Sequence, residues 1–173
     1  MEGGVVMSEG RLQREIKKRR PFASAEQEAV LNLLRTGDRF QLRFARLFRC
    51  HGLTPSQYNV LRILRGEGQP LPVLEVADRM VAAVPGITGL VDRLEALGLV
   101  ARERSTEDRR VVYVAITAKA LELLAGMDRP VDALHHTLIG HLTPAELGEL
   151  VRLLEKARRS LDGAGGGEAA GGG

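Results

Sequence analysis

At 173 residues the chain has the length of one compact domain with a core and some tail, which excludes a large multidomain enzyme. Hydrophobic residues at 44% and charged residues at 27% exclude wholesale disorder, and the longest uncharged apolar run, Val81 to Val91, falls short of the ~20 residues that span a bilayer. The formal charge of +3 is an uneven average: the segment from Arg11 to Arg20 alone carries +5, which leaves −2 for everything else, so net charge by itself does not mark a nucleic-acid binder. A single cysteine excludes an intrachain disulfide framework and a multi-cysteine zinc site. The start of the chain lacks the charged, apolar and small-residue order of a secretory leader, so a cytoplasmic protein is expected.

In chain order, residues 1–23 read as a basic flexible arm. Ser24-Ala-Glu-Gln27 is a capping box, in which serine and glutamine satisfy free amides at a helix start. Val30, Leu33, Leu34, Phe40, Phe44, Leu47 and Phe48 follow at helical spacing until Gly52, which predicts a long helix of about 26 residues. Thr54-Pro-Ser-Gln57 repeats the box for a second helix ending before Gly66, with Tyr58, Leu61 and Leu64 on one stripe. A short third helix is predicted from Pro72 to about Met80. Pro85 is expected in the first turn of a fourth, where Ile87, Leu90, Val91, Leu94 and Leu97 share a face until Gly98. Gly86, Thr88, Gly89, Asp92 and Arg93 form the opposite face. The four residues from Val81 to Val84 suit the tight turn of a helix-turn-helix.

The period then changes. Leu99 to Arg104 and Val111 to Ile116 are β-prone and bracket a polar segment, Ser105 to Arg110, as a β-hairpin with a charged tip would. Thr117 caps a further helix that carries Leu121, Leu124 and Met127 and is expected to kink or break at Pro130. Thr143-Pro-Ala-Glu146 opens the last helix, and the glycine-rich residues 163–173 read as a disordered tail. The expected fold is mainly α with a small β-hairpin wing. It comprises a long helix (24–52), a winged helix-turn-helix (53–117) and two closing helices (118–162).

Leu53-Thr-Pro-Ser-Gln57, the run from Ile87 to Val100, Asp108-Arg-Arg110, and Ile116-Thr117 followed by Ala120 together resemble the MarR (multiple antibiotic resistance regulator) family of bacterial transcriptional regulators. The specific feature is aspartate-arginine-arginine eight residues after Gly-Leu-Val, with threonine seven residues beyond the second arginine. The resemblance implies a homodimeric, sequence-specific regulator of double-stranded DNA, a repressor in the first instance, on a pseudo-palindromic operator. It implies dimerisation through the terminal helices, with Leu31, Leu34, Leu134, Leu138, Leu147, Leu150, Leu154 and Leu161 contributing. It also implies a salt bridge from Asp108 that holds a wing arginine, and a small-molecule effector at a family-variable site.

The residue chemistry agrees. A winged helix lays its second motif helix in the major groove, so Pro85, Gly86, Thr88, Gly89 and Arg93 are candidates for contact with bases or backbone. Pro85 has a purely local role available, at the helix start. Arg109 and Arg110 suit a narrow, electronegative minor groove. For Ser56 and Gln57 two readings stand, phosphate contact and capping. The basic arm likewise either adds phosphate contacts or is a solvated tail.

Cys50 lies between Arg49 and His51, which permits a redox-responsive regulator as an alternative, although the peroxide-sensing cysteines of MarR relatives lie near the start of the first long helix. His135, His136 and His141 lack a completing ligand set, so no metal or other cofactor is expected. No phosphate loop, paired carboxylates or nucleophile triad points to an enzyme. A winged helix used only for protein interaction is a further alternative, and it leaves the wing arginines unexplained.

Overall fold

A computed structural model describes residues 10–162 apart from 105–110. Two compact units divide it, one ending at Val131 and the other beginning at Asp132.

The first unit opens where a flexible arm was expected. Residues Arg11–Glu15 form a short helix, α1, with Leu12 and Gln13 buried. Glu15 accepts from Arg11 at 2.8 Å and pairs with Arg39 at 2.9 Å, which ties this turn to the helix that follows. Basic composition alone suggested a flexible arm, whereas one apolar residue and one carboxylate among the basic residues are enough to dock the segment. That helix, α2, spans Ala25–Cys50 and starts as predicted, with the Ser24 oxygen accepting the Gln27 amide.

Next, α3 (Pro55–Glu67) starts with both halves of the Thr54/Gln57 capping box made, and it runs through Gly66 to end at Gly68. Phe48 of α2 stacks on Tyr58 of α3 with ring centroids 4.1 Å apart. Leu71–Pro72 then form a two-residue strand, β1, before α4 (Val73–Asp78), which is shorter than predicted at both ends: Pro72 is drawn into the sheet, and the helix stops at Asp78, before Met80. The helix α5 (Ile87–Ala96) precedes the wing strands β2 (Val100–Arg104) and β3 (Val112–Ile116). The sheet is antiparallel in the order β1-β3-β2, with Leu71 opposite Val114 and Val100 opposite Ile116. Proline is tolerated in β1 because an edge strand has an amide to spare.

One core unites these pieces. Val60, Leu61 and Leu64 of α3, Val76 of α4, Val91 and Leu94 of α5, and Val114 of β3 are fully buried. Leu124 and Met127 of α6 (Ala118–Ile139) join them. Each such side chain contributes roughly 2 kcal/mol through removal from water. The helix α6 continues through Pro130 instead of breaking. Proline removes one backbone donor, but Met127 and Val131 on either side are buried and hold the helical path.

The second unit contains the end of α6 and α7 (Pro144–Asp162), which begins at the predicted Thr143/Glu146 box. Between the two helices the chain passes so closely at Gly140 that a Cβ there would lie 2.5 Å from the His136 carbonyl oxygen. No described helix is long and apolar enough to cross a membrane.

Candidate nucleic-acid interface

The burial pattern of α5 decides which face is presented outward. Leu90, Val91 and Leu94 enter the core, so Thr88, Gly89, Asp92 and Arg93 are left exposed on the other side. The helix begins two residues later than Pro85. Gly86 is its N-cap, with φ +74° and ψ +51°, a left-handed conformation that side-chain-bearing residues adopt at a cost. Pro85 and Gly86 are both exposed, and Gly86 offers no side-chain cap. The first amides of α5 are therefore not claimed by a capping side chain, an arrangement that suits a phosphate oxygen.

The other end of α5 is closed tightly. Gly98 takes a left-handed conformation at φ +69°, with its amide donating to the Glu95 carbonyl and that of Leu99 to the Leu94 carbonyl. From across the wing, the Thr117 hydroxyl donates to the Gly98 carbonyl at 2.9 Å and Lys119 Nζ to the Leu97 carbonyl at 2.7 Å. A cation at a helix C-terminus also meets the negative end of the helix dipole.

The sequence reading missed Arg102. On β2 it shares with buried Val100 the strand face turned inward, and its guanidinium donates to the Asp92 carboxylate, to Glu95 at 3.3 Å and to the Thr88 carbonyl at 3.1 Å. An arginine at the inward parity of a strand needs carboxylate partners nearby, and that was the signal available. Asp92, placed by periodicity on the same outward face as Thr88, is spent on this clamp. Asn59 was also missed: its Oδ1 accepts the Val81 amide at 2.9 Å and pins the turn before α5 to α3.

Gln57 is buried, with its amide oxygen used by the Thr54 amide, so the capping reading describes what it does here, while Ser56 beside it is half-buried. Arg93 is exposed. Asp108, Arg109 and Arg110 lie outside the described residues. Of the leucines assigned to dimerisation, Leu34 and Leu161 are 63% and 71% exposed and Leu150 is 38% exposed. Leu31, Leu134, Leu138, Leu147 and Leu154 are half-buried. Cys50 ends α2 as an exposed free thiol. His135, His136 and His141 are exposed, and the described residues contain no group of three or more His, Cys, Asp or Glu able to hold a metal ion.

A family model described as "MarR family" matches residues 51–111. The Bacillus subtilis HTH-type transcriptional regulator YkoM is 30% identical over 148 residues, covering 79% of this chain and 90% of that protein. The B. subtilis HTH-type transcriptional repressor MdtR is 33% identical over 115 residues, 64% of this chain and 71% of that protein. Among solved structures, a MarR transcription factor from Planctomyces limnophilus is 44% identical, with 78% of this chain and 98% of that chain covered and a TM-score of 0.61. Bordetella bronchiseptica BpsR, whose DNA binding is regulated by 6-hydroxynicotinic acid, is 29% identical, with 80% and 97% covered and a TM-score of 0.69. The wing, the clamped outward helix and these similarities have one conclusion: the chain belongs to the MarR family of winged helix-turn-helix transcriptional regulators, which bind DNA and are not enzymes.

Proposed function

We propose that this chain is a homodimeric repressor that binds a pseudo-palindromic operator, with α5 in the major groove and Arg109 and Arg110 in the adjacent minor groove. The observation that carries this reading is the outward face of α5: a helix start without a side-chain cap, Gly86 and Gly89 offering no bulk, and Thr88 and Arg93 exposed. Small residues let the backbone approach a phosphate, Thr88 offers a hydroxyl and a methyl to base edges, and Arg93 supplies charge. In this reading Asp108 orients the wing arginines and Ser56 adds a backbone contact. Repression is supported by the similarity to the repressor MdtR.

The dimer reading rests on apolar surface. On α2, Val30, Leu33 and Leu34 are 50–63% exposed, and on α7 Val151 and Leu153 are exposed together with Leu150 and Leu161. Stripes of this extent in water favour a partner, and a second copy supplies a self-complementary one. Release by a small molecule is supported by the similarity to BpsR.

Fluorescence anisotropy against the duplex upstream of the chain's own gene tests the DNA reading. Tight binding that falls at least tenfold in Arg110→Ala is expected, and equally weak binding by both proteins would overturn it. Light scattering tests the dimer: twice the chain mass is expected for the native protein and one chain mass for Leu34→Glu, whereas a native monomer at micromolar concentration rejects it.

A further inference from the structure

The surface leading into α5 is poor in groups that read hydrogen-bonding base edges. From Met80 to Val91 the sequence contains no Asn, Gln, Lys or Arg, the side chains that pair with adenine or guanine through two hydrogen bonds. What stands exposed there is Val81, at 83%, with Ala82 and Ala83 beside it, then Thr88 and Gly89 on the first turn of α5. One exposed valine signifies little on a protein surface. Here, however, the apolar run is continuous with the outward start of the helix, and it is held in place, since the Val81 amide is bonded to Asn59. Asp92 and Glu95, the carboxylates on that side of α5, are engaged by Arg102.

The major groove displays one apolar group, the C5 methyl of thymine, and it is the only base feature from which a valine, an alanine or a threonine methyl gains. Resting on the DNA-binding reading above, we infer that this regulator recognises each half-site through thymine methyl groups packed against Val81, Ala83 and the γ-methyl of Thr88. The Thr88 hydroxyl is then the single polar side-chain group of this segment available to a base. The operator accordingly carries thymines opposite the turn and the start of α5, and it is read there by shape and apolar contact more than by hydrogen bonds.

The test uses the full chain to select duplexes from a randomised pool. The enriched duplex is remade with deoxyuridine replacing each thymine in turn, which removes the methyl and leaves every hydrogen-bonding group. Binding about fourfold weaker is expected at one or two positions per half-site, the worth of one buried methyl group. Val81→Ser and Thr88→Ser, both at exposed positions, should each erase the thymine-to-uracil difference at one of those positions. Equal binding of thymine and uracil duplexes at every position overturns the inference, and so does a methyl dependence that persists unchanged in both variants. A pool from which no duplex is enriched overturns it together with the sequence-specific reading beneath it, an outcome distinct from either of the others.

Discussion

Replacing Arg102 by alanine separates the positioning of α5 from direct contact with DNA. The side chain is only 24% exposed, and its guanidinium serves three acceptors on α5. Two of them, Asp92 and Glu95, are 55% and 42% exposed, so solvent screening holds each ion pair to roughly 0.5 kcal/mol. The hydrogen bond to the Thr88 carbonyl adds about 1 kcal/mol. A total near 2 kcal/mol lowers Tm by roughly 4–8 °C in a chain of this size. Because a residue acting through α5 transmits no more than its own worth, operator affinity should fall by at most about thirtyfold for each half-site. The slope of log affinity against log salt should not change, since no phosphate contact is lost. Arg102→Lys keeps the charge but not the forked geometry and should recover only part of the loss. Thermal denaturation and salt-dependent anisotropy measure these quantities. A slope reduced by about 0.9 per protomer would show Arg102 neutralising a phosphate and refute the positioning role. An unchanged Tm would show that the clamp contributes nothing to stability.

Arg93→Ala should behave in the opposite way, with Tm unchanged, weaker binding and a salt slope lower by about 0.9 per protomer, as expected of an exposed arginine that meets phosphate. Gly86→Ala should cost about 1–2 kcal/mol by thermal denaturation through backbone strain alone, because a Cβ there meets open space and the φ of +74° is the only obstacle. The Arg11 hydrogen bond, followed by the charges of Arg39 and Arg35, holds the Glu15 carboxyl below its usual 4.5, against an opposing effect of desolvation. Its folded value lies below its unfolded one, so its support for docked α1 is complete above the ordinary carboxylate range and is lost as pH falls through the folded value. Amide exchange at Ile16 and Lys18, whose amides donate to the Leu12 and Gln13 carbonyls, should therefore quicken only below pH 4.5, beyond the ordinary pH dependence of exchange, and Glu15→Gln should abolish that response. Release already at pH 6 would contradict it. Leu94→Ala, at a fully buried position of α5, should destabilise by roughly 2–5 kcal/mol in denaturant titration, and a loss under 1 kcal/mol would mean the core closes over the gap.

Local chemistry made much of the fold legible. Ser24, Thr54 and Thr143 each mark a helix start within a residue of where it lies, because each hydroxyl accepts the amide three residues on and needs nothing from the rest of the chain; the reciprocal bond is made at Thr54 and Thr143, while Gln27 accepts the Ala23 amide instead of that of Ser24. The polar segment between two β-prone runs likewise announced the wing. Features that depend on distant partners were not legible. Pro72 reads as a helix start until Tyr113 is known to lie opposite it in a sheet. Pro130 reads as a kink or break until the burial of Met127 and Val131 is seen to carry α6 on past it without a break.

The composition shows the same division. The basic run from Arg11 to Arg20 read as a flexible arm, yet the burial of Leu12 and the ion pairs of Glu15 with α2 dock its first half as a helix. The outward residues of α5 followed from a period of 3.6, which the sequence carries in full. What fixes that helix did not: Arg102, Thr117 and Lys119 reach it from the wing and the helix after it. Periodicity is a property of neighbours along the chain, so sequence alone determined which face of α5 is presented. The clamp joins residues brought together only by packing, so the tertiary structure alone decided what holds that face in place.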